Sequence, residues 1–126
     1  MFEVKEKVVN GRTVLALLGS LATADVPSLQ GRLMHALQEV LETERTTGCP
    51  QAVLVLDMSE VDYISSAGVA LLVKVAHHAR KSGGRLRLAH LTRPVQETLA
   101  ILRLNTNDLI FEIFPTVEAA LKGGSP

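Results

Sequence analysis

Apolar and polar side chains alternate at the start of the chain, where Phe2, Val4, Val8 and Val9 are interrupted by Glu3, Lys5 and Lys7, the pattern of a strand with one wet face. Asn10-Gly11 supplies the two positive φ angles of a type I′ turn, so Arg12 to Leu18 reads as the second arm of an antiparallel hairpin. Thr13 to Leu18 is more continuously apolar, as expected of a strand covered on both faces and placed inside a sheet. After Gly19-Ser20, Val26, Leu29, Leu33, Leu37 and Val40 follow the three-and-four spacing of an amphipathic helix. Thr23 or Asp25 can cap it, and Pro27 is tolerated in its first turn. Thr46 to Pro50 ends that helix, and Ala52 to Leu56, an unbroken apolar run, is expected to be the central parallel strand.

A second helix is predicted from Ser66 to Ser82, apolar almost all round over Val69 to Val73, charged in its second half, and stopped by Gly83-Gly84. Arg85 to Leu88 alternates as a strand, Pro94 to Leu104 reads as a third helix, Leu109 to Phe114 as a last strand and Thr116 to Lys122 as a closing helix. The order ββαβαβαβα predicts an α/β fold: a mixed β-sheet with an N-terminal antiparallel hairpin, parallel strands joined by right-handed crossovers, and helical cover. With 126 residues there is room for one domain, expected over residues 1–122, with 123–126 as a flexible tail.

Thirteen basic and thirteen acidic side chains leave no formal net charge, and with one Tyr, three Phe and no Trp there is no platform for stacking bases. Nucleic acid is therefore not expected as a partner. Cys49 is the single cysteine, which forbids an intramolecular disulfide and a multi-thiolate metal site. No apolar run has the length of a membrane span, and the first residues lack the basic-then-apolar order of a secretory signal. A cytoplasmic protein without direct membrane insertion is expected.

In open α/β sheets, sites form beyond the carboxyl ends of the parallel strands. That rim should collect Ser20 to Asp25, Asp57 to Gly68 and His90 to Arg93. The segment Asp57 to Gly68, read as a loop, is the most distinctive: Ser65, Ser66, Ala67 and Gly68 stand where an apolar helix begins, and unpaired N–H groups there favour an anion. An N-cap alone would account for either serine, and Asp57 could simply satisfy N–H groups at a strand end.

Leu56-Asp57-Met58-Ser59-Glu60-Val61 followed by Tyr63-Ile64-Ser65-Ser66-Ala67-Gly68 resembles the signature of the STAS domain, the fold of bacterial anti-sigma factor antagonists. The opening hairpin, Gly19-Ser20-Leu21, the Gly83-Gly84 stop and Glu118 to Leu121 extend the likeness along the chain. The resemblance implies a regulatory binding protein that is not an enzyme and needs no cofactor. Its partner would be an anti-sigma factor that is also a serine kinase, and its binding would release the sigma factor. Phosphorylation at Ser66, or alternatively Ser65, would end the complex until a serine phosphatase resets it. Ser20, Asp25, Asp57, Ser65, Ser66, Ala67 and Gly68 would form the partner-binding set. The family aspartate before the phosphoserine is Ser65 here, and the one often found after the Gly-x-Leu turn is Ala22. A STAS subunit of a transport or signalling assembly, without phosphoserine switching, is the alternative.

Outside this rim, Lys74, His78 and Lys81 form a basic stripe at helical spacing, which a solvated helix face explains. Adjacent His77 and His78 point in different directions and suit no metal. The chain has no Gly-x-Ser-x-Gly elbow, no dinucleotide fingerprint and no Walker loop.

Overall fold

The computed structural model describes residues 2–9, 12–47, 52–101 and 112–122. Strands β1 (Phe2–Val9), β2 (Arg12–Leu21), β3 (Ala52–Ile64), β4 (Gly84–Ala89) and β5 (Glu112–Phe114) lie in one sheet in chain order, β1-β2-β3-β4-β5. β1 pairs antiparallel with β2, while every other neighbouring pair is parallel. Helices α1 (Val26–Thr47), α2 (Ser66–Lys81), α3 (Arg93–Ile101) and α4 (Val117–Lys122) form the cover. β3 occupies the centre, as its apolar run predicts. The Asn10-Gly11 turn, Cys49, residues 102–111 and the 123–126 tail lie outside the described residues, so the expected extensions of α3 to Leu104 and of the last strand back to Leu109 do too.

Period-two alternation sorts the strand side chains between two cores. Leu15 and Leu17 of β2, Leu54 and Leu56 of β3, and Leu86 and Leu88 of β4 face a large cluster with Leu29, Leu33 and Leu37 of α1, Val69, Leu72 and Val75 of α2, and Val95 and Leu99 of α3. Val14, Val55 and Ala89 face the other way, where Phe114 and Val117, Ala120 and Leu121 of α4 close a smaller cluster. Among the described residues, one face thus carries three helices and the other a single short one.

Six residues cannot hold a helix by propensity, and α4 is kept in place by side chains beneath it. Arg87 of β4 is 4% exposed. Its Nε donates to Glu112 Oε1 at 2.9 Å, its Nη1 donates to the Ala120 carbonyl at 2.8 Å, and its guanidinium carbon lies 5.3 Å from the centre of the Phe114 ring. A planar fork can serve a carboxylate, a helix carbonyl and an aromatic face together; an ammonium cannot. At the other end of α4, His90, with φ 56°, accepts a hydrogen bond on Nε2 from the Val117 N–H.

The main departure from the sequence reading is the length of β3. Asp57 to Ile64, expected as a loop, continues the strand for eight residues. β4 stops pairing at Asp57 (opposite Ala89), but β2 runs on and pairs as far as Leu21 opposite Ile64. Two register shifts, between Ala16 and Leu18 and between Gly19 and Ser20, each give β3 one extra residue, as in β-bulges. They allow Met58, Val61 and Ile64, spaced by three, all to be buried in the large cluster. Leaving the alternation of an ordinary strand, this spacing hides the strand from a period-two reading.

Replacing Arg87 with alanine should strand the Glu112 carboxylate and the Ala120 carbonyl, costing on the order of 2–3 kcal/mol. Urea unfolding monitored by circular dichroism measures this, and a loss under 0.5 kcal/mol, the range of an ordinary surface change, would show that α4 does not depend on Arg87.

Candidate functional site

The extended β3 delivers its last residue, Ile64, to the far end of β2, and the chain turns there into α2. Ser65 makes that turn. Its N–H donates to the Leu21 carbonyl at 2.9 Å, and its backbone is extended (φ −78°, ψ 163°). Its hydroxyl accepts from the Gly68 N–H at 3.1 Å, the N-cap geometry. Ser65 is 8% exposed, so the hydroxyl is committed to the helix beneath the surface. Ser66, the first residue of α2, is exposed. Because Ser65 takes the N–H groups of Gly68 through its hydroxyl and Val69 through its carbonyl (3.0 Å), those of Ser66 and Ala67 are left with no acceptor inside the helix.

Gly68 is buried at this junction. A methyl group there would stand 2.9 Å from Ile64 Cγ1 and 2.9 Å from Leu21 Cδ2, so the glycine lets the first turn of α2 press on the ends of β2 and β3. Its place in the site is that of a spacer, and Ala67 is half-buried beside it.

Ser20, opposite Tyr63 in register, donates its hydroxyl to Asp62 Oδ1 at 2.7 Å. Tyr63 is half exposed. Beyond β2, a 3-10 turn over Thr23–Asp25 precedes α1. Neither Thr23 nor Asp25 caps this segment from its first position. Asp25 instead folds back to accept the Ala22 N–H on Oδ2 at 3.0 Å, and Ala22, with only a methyl group, makes no side-chain cap of its own. Ser20, Asp25 and Ser66 therefore all belong to one rim, which also carries Asp62 and Tyr63, expected there with the Asp57 to Gly68 segment but not counted in the partner-binding set.

Asp57 lies elsewhere. It stands at the start of the β3 extension, roughly 20 Å along the strand from Ser66 by strand rise, and is 5% exposed. Lys7 of β1 donates to its Oδ2, and the Ser59 N–H donates to its Oδ1 at 3.0 Å. Burial alone would raise the carboxyl, but Lys7 and the backbone and hydroxyl of Ser59 outweigh it and hold the group below its ordinary value. Its carboxylate ties β1 across β2 to β3, and it is not presented at the rim. Among the described residues there is no cluster of His, Cys, Asp and Glu suited to a metal ion, and no helix is long and apolar enough to cross a membrane.

Two consequences are measurable. Gly68→Ala gains helix propensity of about 1 kcal/mol but meets Leu21 and Ile64, and a net loss of about 1–2 kcal/mol is expected in chemical unfolding; a stabilised variant would contradict the close approach. Because the folded carboxyl of Asp57 titrates below its unfolded value, its stabilisation is complete above about pH 4 and disappears as the pH falls through the lower, folded value. The stability difference between the protein and Asp57→Asn should therefore shrink on acidification from pH 5 towards pH 3. A difference that is constant over that range would mean that the ion pair with Lys7 contributes nothing.

The family profile of the STAS domain matches residues 3–120. A protein named as an anti-sigma factor antagonist, BtrV of Bordetella bronchiseptica, is 36% identical over 78 residues, which cover 60% of this chain and 67% of that protein. Among solved structures, an anti-sigma factor antagonist from Mycobacterium paratuberculosis superposes with a TM-score of 0.75 at 18% identity, covering 98% of this chain and 93% of the other. The anti-sigma factor antagonist SpoIIAA, solved in its unphosphorylated form, superposes with a TM-score of 0.68 at 14% identity, covering 98% and 100%. The mixed five-stranded sheet with its antiparallel first pair is the fold of these structures, and with the family profile running through nearly all of β1 to α4, the chain belongs to the STAS domain family.

Proposed function

We propose that this chain is an anti-sigma factor antagonist: its rim docks an anti-sigma factor serine kinase, frees the sigma factor held by that kinase, and lets go when Ser66 is phosphorylated. The names of its relatives support the antagonist role. The observation that carries the switch is the division of labour between two adjacent serines. Ser65 is buried and occupied as the cap, whereas Ser66 is exposed on the first turn of α2. Ser65, standing where the family has aspartate, caps α2 with an uncharged hydroxyl, so the exposed serine remains available as the phosphate acceptor.

A phosphate on Ser66 is tolerated by the monomer. It adds about −1.5 to −2 charges at a helix N-terminus whose free N–H groups and dipole favour an anion. The complex tolerates it poorly, since a like or unpaired charge at an interface costs several kcal/mol. About 4 kcal/mol would weaken binding roughly a thousandfold. Ser20 and Asp25 complete the docking rim, while Ser65 and Gly68 hold its shape from beneath. A serine phosphatase would reset the protein, which in this role is a kinase's substrate and a binding partner in the cytoplasm and not an enzyme.

Mixing the protein with its anti-sigma kinase and ATP, followed by intact-mass analysis and fragmentation, should show one phosphate on Ser66. Ser66→Ala should abolish the modification, and Ser65→Ala should leave its position unchanged. Phosphate mapped to Ser65, or none on a protein that binds the kinase, would overturn the assignment.

A further inference from the structure

Resting on the docking reading above, we propose that the exposed face of α2, from Ser66 down to Lys81, is a second part of the interface and receives an acidic patch of the anti-sigma factor. α2 carries Lys74, His77, His78, Arg80 and Lys81 and has no acidic residue along its 16 positions, in a chain whose formal net charge is zero. All five side chains are exposed, and none makes an ion pair with a described residue. Dipole complementarity explains basic residues in a last turn, which covers His78, Arg80 and Lys81. It does not explain Lys74, which is about two turns from the end.

Position on the helix links the basic stripe to the rim. Ser66, Ala70 and Lys74 succeed one another at i, i+4, and Lys74 is followed by His77 and His78, then Lys81, at i+3 and i+4 steps; all are exposed. The stripe therefore extends about 22 Å from Ser66 at 1.5 Å per residue. The neighbouring helix α1 is mixed, with His35 paired to Glu39, and the rim itself bears Asp25 and Asp62. A basic flank beside an acidic rim suits a protein surface of matching, alternating charge. It suits a polyanion less well, because a nucleic acid following the stripe would run into those carboxylates.

Charges beside a docking site act chiefly on association rate and its salt dependence. The test is stopped-flow binding of the anti-sigma factor from the same organism to the unmodified protein and to two double variants, Lys74→Glu with Lys81→Glu and Lys74→Gln with Lys81→Gln, at low and at physiological salt. Circular dichroism confirms that the variants are folded, and the Gln pair keeps the comparison valid if the Glu pair is not. We expect the Glu pair to associate at least tenfold more slowly at low salt, the Gln pair to fall between, both to show a flatter salt dependence, and dissociation to change less than about threefold. Association rates equal to the parent in both variants would overturn the stripe as an interface while leaving the rim reading intact. Failure of the parent to bind the anti-sigma factor would overturn both. Retention of duplex DNA by the parent, lost in the variants while their anti-sigma binding is unchanged, would replace this proposal with a nucleic-acid site.

Discussion

A single hydrogen bond organises the junction between β3 and α2: the Ser65 hydroxyl accepting the Gly68 N–H under the first turn of α2. It ends an extended backbone and starts a helix in one residue, and it commits the more buried of two consecutive serines. The Ser65 N–H bond to the Leu21 carbonyl fixes the same residue to the end of β2, and the absent side chain of Gly68 lets the turn settle on Leu21 and Ile64. Ser66 is exposed because its neighbours are held so closely. The first turn of α2 is thus fixed to the ends of β2 and β3, with Ser66 exposed on it.

Support for this junction comes from the sheet. β3 runs well past the point where β4 leaves it, and two extra residues in its pairing with β2 turn Met58, Val61 and Ile64 to one core. At the start of that extension, Asp57 is clamped by Lys7 and Ser59. On the same face of the sheet, Arg87 holds α4 through a carboxylate, a helix carbonyl and an aromatic ring. Buried charges are tolerated in both places because every partner is supplied. The larger core on the opposite face is covered by α1, α2 and α3, and α2 presents Ser66.

Much of this was legible in the residues. Alternation in β1, the Asn-Gly dipeptide between the first two strands, the apolar run Ala52–Leu56 and the helical spacing from Val26 to Val40 each point to the element that forms. Gly83, at φ 90°, ends α2 as its position suggests. What the pattern concealed has a common physical cause, the dependence of one segment on a partner distant in sequence. Asp57–Ile64 looks like loop because bulged pairing with β2 replaces its alternation by a spacing of three. Asp57 resembles a rim carboxylate until Lys7, fifty residues earlier, is placed against it. Arg87 reads as the wet face of an alternating strand, and only α4 folding over it makes it interior. Ser65 and Ser66 were indistinguishable as caps by spacing alone, and the burial of one and exposure of the other separate them.

The proposed switch requires that charge added at the exposed Ser66 end binding without disturbing the fold. The most direct measurement uses protein carrying phosphoserine at position 66, introduced during synthesis, with amide NMR spectra and anti-sigma factor affinity recorded beside the unmodified form. Amide shifts confined to the start of α2 and the adjoining ends of β2 and β3, with affinity lowered a hundredfold or more, about 2.7 kcal/mol, are expected. Unchanged affinity, or shifts spread through both cores of the sheet, would contradict it.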